Sequence, residues 1–166
     1  MNISRSRVLV VGLGNPDCGD DAAGALVADQ LAGKVPSGVS VVSRSSDMLS
    51  LIEDWAGFDV LVCVDAAASM GSPGRIHRID LASGDLPREP AIASSHAFGL
   101  AEAVDLARAL ELAPPEIIVY AIEGGRFEVG TAPSEAVVRS ADIVAGRIVS
   151  ELQQGCTRSG EVAADA

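Results

Sequence analysis

The chain of 166 residues is poor in aromatic and in basic side chains. Only 3% of its residues are Phe, Trp or Tyr, so its core must be filled by aliphatic side chains. Lys and Arg number 12 against 23 Asp and Glu, which gives a formal net charge of −11. Nucleic acids and anionic membrane surfaces attract positively charged proteins. We therefore expect neither as a partner.

Cysteine and long apolar runs are scarce as well. Cys18, Cys63 and Cys156 show no C-x-x-C spacing, which argues against a disulfide framework and against a cysteine-rich zinc site. No apolar run approaches the length of about 20 residues that spans a bilayer. The first residues, MNISRSR, contain no apolar signal segment before the first predicted strand. The expected location is the cytoplasm.

What the chain does contain is an alternation of apolar runs and segments with helical spacing. Strands are predicted at Val8–Leu13, Val39–Val42, Val60–Val64, Arg75–Ile79 and Ile117–Ile122. Helices are predicted at Asp21–Ala32, Asp47–Trp55, His96–Leu110 and Ser134–Leu152. This order predicts an α/β fold, a three-layer sandwich with a twisted, mostly parallel central sheet and helices on both faces. Residues 1–154 are expected to form a single domain, and residues 155–166 a disordered tail.

One strand is expected to differ from the others. The segment Arg75–Ile79 alternates polar and apolar side chains, which predicts an edge strand, perhaps antiparallel to its neighbour. Its histidine, His77, is expected to be exposed. The remaining strands are continuous Val, Ile and Leu runs, typical of strands that are buried on both faces.

The segment from Val8 to Leu31 carries the strongest functional signal. An apolar run leads into the turn Gly12-Leu13-Gly14-Asn15, and the adjacent acids Asp20 and Asp21 follow before a helical stretch. A dinucleotide-binding loop is excluded, because Asp17 stands where the third glycine is needed and the acids would repel a pyrophosphate. Two interpretations of the acids stay open. They stabilise the start of the helix, or they face the crevice where open α/β sheets bind ligands.

Asp65 and His96 occupy comparable positions further along the chain. Asp65 follows the apolar run Val60–Val64, and His96 precedes a predicted helix. Neighbouring strands lie about 5 Å apart, so Asp65 and the Asp20-Asp21 turn can face one crevice. Two carboxylates and an imidazole at one edge would form a three-ligand metal site with open positions.

Other catalytic classes lack their motifs in this chain. The sequence contains neither the G-x-S-x-G elbow of serine hydrolases nor the H-E-x-x-H helix of zinc proteases. Cys18 lies in a loop rich in acids and Cys63 within a predicted strand, so neither is assigned a part in the chemistry.

Read together, these motifs are similar to those of one known family. The matching residues are Gly12-x-Gly14-Asn15, Asp20-Asp21, Asp65 with Gly71 and Pro73-Gly74 behind it, Ser94-x-His96, Pro115, Ile122-Glu123, Gly130 and Pro133-Ser134. In this order the chain resembles the nickel-iron hydrogenase maturation endopeptidases over residues 7 to 152.

The resemblance implies a protease that removes a C-terminal extension from the hydrogenase large-subunit precursor after nickel insertion. It implies that the catalytic and metal-contacting residues are Asp21, Asp65 and His96, and that the nickel belongs to the substrate. Other divalent cations can stand in for nickel at such ligands. The ligand atoms are then expected to lie roughly 4–6 Å apart. The partner would be the precursor, and the protease itself is expected to be a monomer.

Two positions depart from the family pattern. Asp21 stands where the family commonly has Glu, one methylene longer, and Gly124-Gly125 stands where Gln or Pro is frequent. Two other functions stay open on the sequence. One is a non-catalytic accessory that senses nickel with the same ligands. The other is a flavodoxin-like ligand-binding or interaction module, in which Asp20 and Asp21 merely cap a helix.

Overall fold

The fold is a single five-stranded sheet covered by helices on both faces. The computed structural model describes residues 6–45, 47–81 and 99–164. The strands are β1 (Val8–Leu13), β2 (Val39–Arg44), β3 (Val60–Ala67), β4 (Ile76–Asp80) and β5 (Glu116–Glu123). The helices are α1 (Ala23–Leu31), α2 (Met48–Trp55), α3 (Leu100–Ala109) and α4 (Glu135–Ala164), and a 3-10 turn (Gly19–Ala22) precedes α1.

The order of strands across the sheet is β2-β1-β3-β5-β4. The first four run parallel to one another, and β4 pairs antiparallel with β5 at the edge. The predicted α/β class and the edge position of β4 are both confirmed. No helix among the described residues is long and apolar enough to cross a membrane.

Two aliphatic layers hold the helices to the sheet. On one face, α1 and α4 pack on alternate side chains of β1, β3 and β5, and this layer includes the fully buried Leu31 of α1 and Ile148 of α4. On the other face, α2 and α3 cover the intervening side chains, and Trp55 is completely buried there. Each fully buried side chain of this size contributes roughly 1.5–3 kcal/mol to folding. The few aromatics therefore do not prevent a dense core.

Several element boundaries differ from the predicted ones. β3 continues two residues past Asp65, because β5 pairs with it as far as the couple Ala67 and Glu123. α4 continues to Ala164 rather than Leu152, and so passes through most of the segment predicted as a disordered tail. The glycines within α4 each weaken the helix by about 1 kcal/mol but do not end it, and the chain contains no proline after the first turn of α4.

Two glycines bring α1 against the carboxyl ends of β1 and β3. A Cβ on Gly12 would lie 2.1 Å from the Gly24 carbonyl oxygen, and one on Gly24 would lie 2.3 Å from the Leu13 oxygen and 2.7 Å from the Val64 oxygen. Only glycine permits so close an approach of two backbones. The start of α1, and with it the preceding 3-10 turn that carries Asp20 and Asp21, is thereby fixed beside the strand that carries Asp65.

Candidate active site

Asp21 is held in the turn that connects β1 to α1. The residue is 7% exposed, and its Oδ2 accepts a hydrogen bond of 2.7 Å from the backbone N–H of Asn15. Gly14, directly before Asn15, has a φ of +116°, and a Cβ at that position would meet the Asp21 carbonyl oxygen at 2.2 Å. The glycine-rich turn therefore wraps around this acid, not around a phosphate.

Asp65 lies within β3 on the face covered by α2 and α3. It is paired with Ala121 of β5, is 4% exposed, and its Oδ1 accepts from the Ala66 N–H at 2.8 Å. Two residues earlier, burial raises the pKa of the Cys63 thiol, and the charge of Asp65 raises it further. Cys63 is therefore a protonated core residue, in keeping with its position in a predicted strand.

The two acids share one edge of the sheet. β1 and β3 are adjacent with Gly12 opposite Val64, and Gly24 of α1 contacts the backbone oxygen of Val64. Asp21 and Asp65 thus lie at the carboxyl ends of neighbouring strands. In open α/β sheets, ligands bind in the crevice at these ends.

His96 lies outside the described residues, so its convergence with the two acids stays a prediction. Within residues 6–45, 47–81 and 99–164, no group of three His, Cys, Asp or Glu side chains is arranged to hold a metal ion. The described part of the chain thus contains two of the three predicted metal-contacting residues, Asp21 and Asp65.

Asp20 does something different from its neighbour. It is fully buried, and its carboxylate accepts backbone N–H bonds from Gly125 (2.7 Å), Arg126 (3.0 Å) and Ser134 (2.7 Å). Burial alone would raise its pKa, but the hydrogen bonds outweigh burial, and the pKa lies below the ordinary value for Asp. An ionised carboxylate here joins the loop after β1 to the loop after β5.

Neither acid caps the turn in which it lies. The residue at the N-cap position is Cys18, and no side chain makes a capping hydrogen bond there. The interpretation in which Asp20 and Asp21 merely cap a helix is therefore wrong, although both do occupy the first turn. Each carboxylate instead accepts hydrogen bonds from backbone N–H groups outside the 3-10 turn.

Glu123, at the end of β5, is a fourth buried acid, after Asp20, Asp21 and Asp65, and in the sequence it stands out only as part of the family pattern. It is 1% exposed, and its Oε1 accepts from the N–H groups of Met70 (2.6 Å) and Ser72 (2.8 Å). Its position directly after an apolar run is the signal by which the sequence could have indicated this acid, because Asp65 is recognised by the same pattern. Glu123 fastens the loop that follows the Asp65 strand.

His77 is not exposed, contrary to the expectation. The residue is half-buried, and its Nε2 has no solvent contact and no hydrogen-bond partner in the part of the chain that the structure describes. It pairs with Ala121, which pairs in turn with Asp65. Paired residues on adjacent strands share a face. His77 therefore lies on the same face as Asp65, two strands away.

The fold agrees with the comparisons to known proteins. The family model for HycI, hydrogenase maturation protease, matches residues 27–151. The hydrogenase maturating endopeptidase HybD from E. coli superposes with a TM-score of 0.74 at 21% identity, covering 90% of this chain and 94% of that one. The [NiFe] hydrogenase maturation protease HybD from Thermococcus kodakarensis gives 0.67 at 27% identity, covering 86% and 99%. No curated protein sequence matches the chain.

These findings identify the chain as a peptidase of the α/β class. It belongs to the hydrogenase maturation protease family. The resemblance drawn from the sequence is thereby confirmed, together with the fold it implied.

Proposed function

We propose that the protein cleaves the C-terminal extension from a nickel-loaded [NiFe]-hydrogenase large-subunit precursor. In this proposal Asp21, Asp65 and His96 recognise the nickel that the precursor already carries. The observation that carries it is the pair of buried carboxylates, Asp21 and Asp65, at the carboxyl ends of adjacent strands. Family membership supports the reaction, and the buried acids support the mode of recognition.

Burying two acids near each other is unfavourable unless a cation lies between them or one is protonated. A substrate-borne nickel ion would remove that penalty at the moment of binding. Each carboxylate has about four acceptor positions, so the hydrogen bonds from Asn15 and Ala66 orient the acids without excluding a metal ligand role. Carboxylate and imidazole ligands suit nickel, zinc and similar cations.

The cleavage step is the hydrolysis of one peptide bond. Once the acids and the imidazole complete the coordination of the substrate's nickel, the scissile bond is fixed beside a Lewis acid. The oxygen of a water molecule adds to the carbonyl carbon, the C–N bond breaks, and the proton passes to the leaving amine. Because the scissile bond is held in this orientation for attack by water, the protease needs no covalent nucleophile of its own.

We also propose that the protein acts in the cytoplasm as a monomer, on a protein partner. The cysteines Cys18 and Cys63 are free, as is usual where thiols are kept reduced. The net charge of −11 disfavours nucleic acid and anionic lipid as partners. The large-subunit precursor is then the macromolecule that must fit the carboxyl edge of the sheet.

The test is cleavage of a nickel-loaded precursor by matched charge variants, followed as a gel shift. Asp65→Asn keeps the shape but removes the charge, and His96→Ala removes the imidazole, so each should lower cleavage by at least about 100-fold. The control Asp17→Asn makes the same change on an exposed acid of the same loop, and should cleave normally. Cys18→Ser should also cleave normally. Thermal melting verifies that each variant is folded.

Full processing by the Asp65→Asn and His96→Ala variants would overturn the assignment of these residues. So would a folded but inactive Cys18→Ser variant, because no step uses that thiol.

A further inference from the structure

We propose that Asp20 is the positioning residue of this site, which holds Asp21 and the loop after Asp65 in the arrangement that cleavage requires. The inference rests on the proposed function for its role in cleavage. Its structural basis is the set of hydrogen bonds that Asp20 makes. From the sequence alone, the role of Asp20 could not be distinguished from that of Asp21.

The first step is that Asp20 grips both ends of the loop between β5 and α4. Its Oδ2 accepts from Gly125 and Arg126 at the start of this loop, and its Oδ1 accepts from Ser134 at the end. Its own backbone N–H donates to the Arg126 oxygen at 2.6 Å. A single side chain thus fixes where the loop leaves the sheet and where α4 begins.

The second step is that this loop is bound to the Asp21 turn at further points. The Gly19 N–H donates to the backbone carbonyl oxygen of Thr131 at 3.1 Å, and the Gly130 N–H donates to the backbone carbonyl oxygen of Asp17 at 2.7 Å. These contacts are all made by backbone atoms. Asp20 adds its side chain to these backbone contacts, so its replacement is a direct way to perturb the junction.

The third step is that the loop after β3 meets the same junction. The Gly124 N–H donates to the Ala67 oxygen at 3.0 Å, and a Cβ on Gly125 would lie 3.0 Å from Pro73 Cγ. A Cβ on Gly124 would lie 2.8 Å from the Asp20 Cβ. The two glycines that depart from the family pattern therefore make room for Asp20 and Pro73.

The fourth step is the chemistry of the side chain. Three N–H donors converge on two oxygens, which a carboxylate satisfies with acceptors on both sides. An asparagine has one acceptor oxygen and one donor NH₂, so it would direct a donor at one of the N–H groups. Asp20→Asn therefore releases one end of the loop while keeping the volume of the side chain.

The experiment compares the full-length wild type with Asp20→Asn, Gly125→Ala and the control Asp17→Asn. Asp20→Asn should lower kcat about 100-fold with KM within about threefold, because a displacement of about 1 Å in a site costs rate rather than affinity. Gly125→Ala presses on Pro73 without removing a charge, and should lower kcat in the same sense. Asp17→Asn should leave both constants unchanged.

Amide hydrogen exchange gives a readout that does not depend on activity. In Asp20→Asn the N–H groups of Gly125, Arg126 and Ser134 should exchange faster, while those of the buried strand β3 keep the wild-type rate. Faster exchange throughout the sheet would mean a purely structural role and would overturn the proposal.

The outcomes separate this inference from the proposed function. If the wild type fails to cleave a nickel-loaded precursor, the proposed function is wrong, and the exchange data still decide whether Asp20 controls the loop. If the wild type cleaves and folded Asp20→Asn has an unchanged kcat, the inference is wrong. If Asp20→Asn does not fold, Gly125→Ala decides, and an unchanged kcat there also overturns it.

Discussion

Tyr120, Arg78 and Glu151 form a cluster on the face of the sheet opposite to Asp65. We predict that the free energy of unfolding falls measurably at alkaline pH because of this cluster. The Tyr120 hydroxyl donates to Glu151 Oε1, and Arg78 binds the same carboxylate at 2.8 and 3.2 Å. Burial, followed by the hydrogen bond to Glu151, raises the pKa of Tyr120 to about 12, against a usual value of 10.0. The folded state therefore holds the phenolic proton more tightly than the unfolded state does.

The sign and size of the effect follow from this difference. Below pH 10 the tyrosine is protonated in both states, and its stabilising contribution is fully present. Above pH 10 the unfolded chain loses the proton first, so the free energy of unfolding falls until the folded state ionises near pH 12. One pKa unit corresponds to about 1.4 kcal/mol, so about half of a total near 3 kcal/mol is lost by pH 11.

The assay is urea denaturation of the wild type and of Tyr120→Phe at pH 9 and at pH 11. The phenylalanine keeps the ring but neither donates to Glu151 nor titrates, so the variant should be less stable at pH 9 by about 1.5–3 kcal/mol. Other titrating groups are shared and cancel in the difference. That difference should shrink by about 1.4 kcal/mol at pH 11. A difference that is the same at both pH values would refute the reasoning.

Three further predictions concern the fold and the metal. Gly24→Ala should destabilise the protein by about 3 kcal/mol through its clash with β1 and β3, whereas Gly146→Ala, whose Cβ meets nothing within 4 Å, should not; equal melting temperatures would contradict this. Glu123→Gln should cost about 1–3 kcal/mol and speed amide exchange at Met70 and Ser72, and unchanged exchange would count against it. If the nickel is carried by the substrate, as we propose, the free protein should bind nickel weakly, because three protein ligands leave coordination positions that only the substrate would fill; tight stoichiometric binding in calorimetry would argue against a substrate-borne metal.

The sheet could be predicted from the sequence because its signals are local. The Val and Leu run of β1 was predicted with its observed bounds, and the alternation in β4 indicated an edge strand that the structure finds antiparallel. Asp65 was found because a carboxylate that follows an apolar run stands out in a predicted parallel sheet. Periodicity and composition report such features within a window of a few residues.

The division of labour between Asp20 and Asp21 could not be predicted in this way. The partners of Asp20 are Gly125, Arg126 and Ser134, more than 100 residues away, and nothing in their types indicates a carboxylate. Such bonds depend on how the loops meet after folding. The sequence therefore indicates the edge of the sheet that carries the proposed site, whereas the different contacts of Asp20 and Asp21 follow only from the structure.

The measurement that tests the central claim most directly is cleavage of one precursor prepared with and without nickel, by the wild-type protein under the same conditions. If Asp21, Asp65 and His96 recognise the substrate's metal, the nickel-loaded precursor should lose its C-terminal extension and the nickel-free precursor should remain intact. Cleavage of both preparations at the same rate would contradict recognition through the metal.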